Sequence, residues 1–514
     1  MEEQEVNEYN FPVSRKAKTL AARPEVIIGG QKVTVDPQLL FQRLSVATST
    51  QTYKAKQEAF GFELCSYAPS LFDPRLFMRN GNKSELADAL WKLAARDNVQ
   101  VANASVYTRK NGSSNGATEH SIKIRHVIDG GSLLHRIPWS KENMTCRQLL
   151  NIYVQYVLQV YGKDSIVVFD NYPSNPTTKD EAHMHRAGSS ASLGIQLQED
   201  LLVKVSKKQF IANKANTQQF ITLLSQYLSS SGIQCLHAEA DADRLMALSD
   251  IYSAKDTVTV VNSEDTDVLK LLLHLTPKLS KDIIFVPHLH KICKEKQRLW
   301  PIQEVQRSLG YEFCSFLLFI HSFSGCDTTS RPYGMGKASI LAKVTSNSKL
   351  GECADIFTLP SSNKDQICEA GDLAMRLLTG GNSDESLAIQ CYKDFRKRVL
   401  KGNTVMRAEV LPPTSGAIMQ HSLRTYHQVM AWLGISLPPE EYGYYIPSNK
   451  YSAKITEHKA APDQLLNSIF CNCKTLCDTK HCTCKQYNLS CTDICGTCKG
   501  MSCKNIAQDL DASG

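Results

Sequence analysis

The chain has 514 residues, of which 42% are hydrophobic and 21% charged, and a formal net charge of +7. Such a length suggests about three domains of an ordinary soluble protein, and the mild positive charge suits a polyanionic partner without requiring one. The acidic start, Met1 to Val6, lacks the apolar stretch of a secretory signal, and apolar runs such as Phe313 to Ile320 are too short to span a bilayer. The expectation is a soluble, intracellular protein with no membrane partner.

Residues 1–118 show one clear element, a helix beginning near Ser84, whose hydroxyl is placed to cap free amides. Asn111 to Ala117 is turn-rich and reads as a linker or insertion. From about residue 120, short apolar runs alternate with helical patterns. Ile124–Ile128, Ser165–Phe169, Ile233–Leu236, Val258–Val261 and Ile283–Pro287 read as strands. Residues 145–161, Phe220–Leu228 and Asp241–Tyr252 read as helices. This alternation predicts an α/β fold, a parallel sheet flanked by helices, over 119–345. Residues 346–465 read as a helical extension, with a helix over His421–Leu433 between the proline turns at Leu411 and Leu437. Residues 466–506 form a cysteine-rich module.

Open parallel sheets bind ligands beyond the carboxyl ends of their strands. Asp129, Asp170 and Asp265 each stand at that end of a predicted strand. Glu239, Asp241 and Asp243 follow His237, and Asp267 and Asp327 complete the acidic set. Crowded carboxylates repel and raise one another's pKa, a cost that divalent cations remove. Phosphodiester cleavage by two metals needs such a set, with ions about 3.5–4 Å apart.

The order Val127-Ile-Asp129, Phe169-Asp170, Glu239-Ala-Asp241, Glu264-Asp265-Thr-Asp267 and Ser324-Gly-Cys-Asp327 resembles the PIN-like, flap endonuclease class of nucleases. That resemblance implies catalytic roles for Asp129, Asp170, Glu239, Asp241, Asp265, Asp267 and Asp327, with two Mg²⁺ or Mn²⁺ ions as cofactors. It implies that Lys179 and Arg186 contact the scissile phosphate. Their seven-residue spacing would put both on one face of a helix. Gly334, Gly336 and Lys337 resemble the family's helix-two-turn-helix and imply a nucleic-acid contact there. The family carries a glycine near its N-terminus that enters the active site, whereas here a long region precedes Asp129.

Of 18 cysteines, nine are dispersed between Cys65 and Cys391, and the other nine crowd into a short C-terminal stretch. The latter are Cys471, Cys473, Cys477, Cys482, Cys484, Cys491, Cys495, Cys498 and Cys503. Thiolates so closely spaced suit tetrahedral Zn²⁺. Nine are too many for two such ions and too few for three unless sulfurs are shared. The pattern, with Asn505 after the last cysteine, resembles the tesmin/TSO1-like CXC module. That resemblance implies three zincs and DNA binding. His481 stands where that family commonly has a tyrosine. Lys474, Lys480, Lys485, Lys499 and Lys504 are candidates for phosphate contacts, and docking to a protein partner is the alternative role. Core and module together predict a nuclear protein that cuts nucleic acid, DNA in the first instance. The competing reading is a DNA- or chromatin-binding protein that keeps the nuclease scaffold without its activity.

Overall fold

A computed structural model describes residues 25–28, 31–34, 60–63, 67–73, 76–94, 123–139, 144–171, 176–179, 194–239, 242–287, 299–400, 408–446, 450–458 and, in the cysteine module, 471–474, 476–479, 481–486, 491, 495–498 and 503–505. The linker read at 111–117, Asp241, Arg186, Lys480 and Lys499 lie outside the described residues. The chain divides into two compact units, Met78–Ala370 with His421–Lys454, and Met1–Phe77 with Gly371–Gln420 and Ile455–Gly514.

The larger unit is built on a six-stranded sheet. Its strands are β1 (Ile124–Asp129), β2 (Ile166–Phe169), β3 (Gln234–His237), β4 (Val258–Asn262), β5 (Ile283–Val286) and β6 (Trp300–Pro301). Their order is β6-β5-β4-β1-β2-β3, and only β6 is antiparallel. β2 and β5 are buried along their whole length, as the continuous apolar runs require of strands covered on both faces. The predicted parallel sheet flanked by helices is the observed architecture, and each strand read from the sequence lies within two residues of its structural bounds.

Among the helices of this unit are α1 (Lys83–Ala94), α2 (Gly130–Arg136), α3 (Cys146–Val160), α4 (Lys214–Ser230), α5 (Ala242–Ser253), α6 (Thr266–Leu275), α7 (Leu317–Phe323) and α8 (Lys337–Ser346). α3 starts at a full capping box, with Thr145 and Gln148 each accepting the other's backbone N–H. α1 begins one residue before Ser84, and it is the Asn82 carboxamide that accepts the Ser84 N–H at 3.2 Å. The capping role expected of Ser84 therefore belongs to Asn82. Behind β1 and β2 a core of Leu133, Leu149, Tyr153, Val157, Phe220 and Leu224 locks α2, α3 and α4 to the sheet.

Residues His421–Lys454 back the loop that carries Asp327. Thr328 Oγ1 donates to Gln428 Oε1 at 2.6 Å, and Tyr444 Oη donates to the Thr328 carbonyl at 2.7 Å. In the smaller unit, Phe60, Cys391, Phe395 and Leu411 form an apolar cluster. The nine C-terminal cysteines form a separate sulfur-lined core, Cys473 at its edge.

Candidate metal centre

Asp129 ends β1 and caps α2, its Oδ1 accepting the Ser132 N–H at 3.1 Å and its Oδ2 the Ser263 hydroxyl at 2.8 Å. Asp170, directly after β2, holds the start of α5, since its Oδ1 accepts the Ala242 N–H at 2.8 Å. The two carboxylates converge on Gly131. A Cβ there would lie 3.3 Å from Asp129 Oδ1 and 3.8 Å from Asp170 Oδ2. Glycine thus keeps open the space between them.

Across the sheet, Asp265 caps α6 by accepting the Asp267 N–H at 2.8 Å. Carboxylate oxygens of Asp243, Asp265 and Asp267 all lie within 4.8 Å of one another. Asp243, unassigned in the sequence reading, joins the cluster from the first turn of α5. Lys179 sits in a short turn, its ammonium 3.7 Å from Asp243 Oδ2. Glu239 is exposed, and its backbone carbonyl accepts from Asn171 Nδ2 at 3.3 Å.

Two cations missed in the sequence hold the Asp265–Asp267 side. Lys83, the first residue of α1, places its Nζ 2.9 Å from Asp267 Oδ2, 3.0 Å from Asp327 Oδ2 and 3.6 Å from Asp265 Oδ2. Lys270, one turn after Asp267 on α6, contacts Asp267 Oδ1 at 2.6 Å. His321 Nε2 lies 2.8 Å from the same oxygen. Lys270 was legible in principle, as the one charge in the run Val268–Leu273 and at helical spacing from Asp267. Lys83 carries no local signal: it lies 184 positions before Asp267.

The electrostatics follow from this packing. Burial pushes the Asp129 carboxyl up, against hydrogen bonds from Ser132, Ser263 and Gly131. Burial and the neighbouring Asp267 push Asp265 up, with Lys83 opposing. Asp267 behaves oppositely. Burial would raise it, but Lys270, Lys83 and His321 outweigh burial and hold it well below the usual carboxylate range. Burial also disfavours the Lys83 charge, yet Asp267, Asp265 and Asp327 keep its pKa above that of an ordinary lysine. His321 is pulled far down by burial and by Lys270 and Lys337, so it is neutral. A neutral imidazole has one lone pair. Two ammoniums approach that ring, Lys270 Nζ at 2.7 Å from Nε2 and Lys337 Nζ at 3.0 Å from Nδ1, while Asp267 Oδ1 lies 2.8 Å from Nε2.

Lys337 corrects one expectation. It is wholly buried, and besides His321 its ammonium donates to Ser324 Oγ at 2.9 Å and to the carbonyls of His321 and Gly325. Burial and Lys270 lower its pKa to about 7. Four polar contacts turn inward, so its side chain is not presented to a nucleic acid and instead braces the loop before Asp327. Gly334 has a left-handed backbone (φ 74°), and Gly336 caps α8.

In the C-terminal module every described cysteine is a free thiol. Sulfur–sulfur distances of 3.4 to 3.9 Å link Cys471 to Cys477, Cys491 and Cys498, Cys482 to Cys491, and Cys484 to Cys495. Three four-sulfur groups can be drawn, and Cys471 belongs to all three. Asn505 seals the module, its Nδ2 donating to Cys491 Sγ at 3.4 Å. Lys485 Nζ donates to the Asp478 carbonyl at 2.6 Å, and Lys504 Nζ lies 3.8 Å from Asp478 Oδ2.

No family model matches the chain, and no curated protein matches it. Solved structures do align. The catalytic core of Rad2 in complex with DNA substrate aligns at 14% identity over 60% of this chain and 91% of that one, with a TM-score of 0.27. The Holliday junction-resolving enzyme GEN1, in complex with product DNA and Mg²⁺, aligns at 13% identity over 45% of each chain, with a TM-score of 0.25. T5 5′-exonuclease with bound zinc aligns at 13% identity over 61% of this chain and 99% of its own, with a TM-score of 0.29. Overlaps so slight carry no function across to this chain. Among the described residues no helix is long and apolar enough to cross a membrane.

Proposed function

We propose that the larger unit is a divalent-metal-dependent phosphodiesterase acting on nucleic acid, DNA in the first instance. The observation that carries this reading is the gathering of Asp129, Asp170, Asp243, Asp265, Asp267 and Asp327 at one end of a parallel sheet. The donors are all hard carboxylate oxygens, the set that suits Mg²⁺ or Mn²⁺ over softer ions. Bound there, a divalent ion supplies Lewis-acid activation of water and charge stabilisation at the leaving oxygen. Asp129 and Asp170 are fixed by their capping bonds, so they are oriented before any ligand arrives. Asp267 is kept ionised by Lys270 and His321. Lys179, with Arg186 as the second base implied by the family resemblance, would position the phosphate by charge-assisted hydrogen bonds. Glu239 and Asp241 remain proposed members of the set.

The cysteine module is proposed to hold three Zn²⁺ ions as a CXC-type unit, in support of nucleic-acid or protein docking in the nucleus. The overlap of three four-sulfur groups at Cys471 supports a cluster in which sulfurs are shared. A second reading, a DNA-binding protein with an inactive core, draws support from Lys83, whose ammonium sits among the carboxylates. Asp265→Ala separates the two. On the first reading the variant binds labelled DNA in Ca²⁺ as wild type does but loses cleavage in Mg²⁺. Equal cleavage by both proteins would refute the proposed site.

A further inference from the structure

The ammonium of Lys83 faces Asp265, Asp267 and Asp327 and, within hydrogen-bond reach, two of them. A lysine ammonium has three donors and no acceptor, so it can satisfy a ring of three carboxylates much as an oxygen-seeking metal ion would. The two cannot share the position. Magnesium needs its oxygens at about 2.0–2.1 Å, and a metal drawn to these same oxygens would meet the ammonium.

Lys83 is not a surface side chain that happened to fold inward. The segment before it is stitched to the loop bearing Asp327. Arg331 N–H donates to the Arg79 carbonyl at 2.7 Å. A Cβ on Gly81 would fall 2.2 Å from the Gly325 carbonyl oxygen, so only glycine permits this approach. Thr266 Oγ1 reaches the Lys83 carbonyl at 3.4 Å. Two residues along, Glu85 accepts the Ala338 N–H at 3.4 Å, at the start of α8. Leu86, Leu90 and Ala94 bury the inner face of α1, and Trp91 packs edge-on against Trp300 with ring centroids 4.9 Å apart. The first turn of α1 therefore delivers a cation to the acidic cluster and an anion to a helix N-terminus, each of the sign its receptor favours.

We propose that Lys83 is a tethered cation standing in for one divalent ion, so that the core binds metal only on the Asp129–Asp170 side. This rests on the metal-dependent reading above and changes its stoichiometry. The remaining pair is held open at Gly131, away from the Lys83 contacts. Lys83 then acts as a positioning residue that fixes Asp265, Asp267 and Asp327 without a second ion.

The test is a count of Mn²⁺ bound per full-length, zinc-loaded chain, read by electron paramagnetic resonance, for wild type, Lys83→Met and Lys83→Arg. The expected result is one Mn²⁺ in wild type and in Lys83→Arg, and one more in Lys83→Met. No Mn²⁺ in wild type but one in Lys83→Met would uphold the role of Lys83 and refute the metal-dependent reading. Equal counts in wild type and Lys83→Met would overturn the proposal. If those equal counts were above zero, the metal-dependent reading would stand. If both were zero, it would fall too. Because Lys83→Met leaves a buried carboxylate less compensated and can fail to fold, wild type supplies a second readout. Lys83 should resist reductive methylation equally with and without saturating Mn²⁺, whereas exposed Lys281 reacts in both. Methylation of Lys83 only when Mn²⁺ is present would mean that metal displaces it, and would overturn the proposal.

Discussion

Asp250 shows how burial alone sets a charge state. It lies on α5, fully buried, and neither carboxyl oxygen has a hydrogen-bond partner among the described residues. Burial pushes its pKa well above 3.8. The folded chain therefore keeps a proton that the unfolded chain loses above that value. The stability tied to this proton is complete below pH 3.8 and declines as the pH rises toward the folded pKa. Asp250→Asn keeps the shape and cannot ionise. Its thermal midpoint should match wild type near pH 4 and exceed it at pH 7, where only wild type has the ionised unfolded state to fall into. An offset of the same size at both pH values would show that Asp250 is not protonated in the folded chain. Asp267, equally buried, meets the opposite fate because Lys270, Lys83 and His321 surround it.

At the scale of elements, α6 carries the most demanding packing. Lys270 and Asp267 are 2% and 4% exposed, so their pairing is made away from water. Removing one partner of such a pair strands the other. Lys270→Met should cost about 3–5 kcal/mol of folding stability, read from denaturant unfolding. A loss within experimental error would mean that Lys83 and His321 suffice for Asp267. β2, β4 and β5 were legible because their apolar runs are buried, and the acids at strand ends were legible because strand ends and cap positions coincide. Asp243 stood in a visible acidic run, but nothing local distinguished it from Asp241. Lys83 and His321 were not legible. One reaches the site only through the folding of α1 against the Asp327 loop, and the other hides in the apolar run of α7. Lys337 was misread for the same reason: a lysine after Gly336 matches a nucleic-acid motif, while only the folded loop reveals four inward contacts.

Across the whole chain, two chemistries of metal binding are written in different donors. The larger unit offers carboxylate oxygens, and the C-terminal module offers thiols in overlapping groups of four. Shared sulfurs make the module's losses unequal. Cys471→Ser, at the position common to all three groups, should reduce bound zinc by more than Cys473→Ser, which belongs to one group, as measured by chelator release with a chromophoric indicator. Equal losses would contradict a bridging role for Cys471. For the larger unit, the decisive measurement is cleavage of labelled single-stranded, duplex and 5′-flap DNA by the purified full-length protein with Mg²⁺, with Mn²⁺ and with chelator. A metal-dependent phosphodiesterase should cut only with the metal present, and Asp129→Asn should abolish the cutting. A folded, metal-loaded wild type that cuts none of the three, or a variant that cuts as well as wild type, would contradict it.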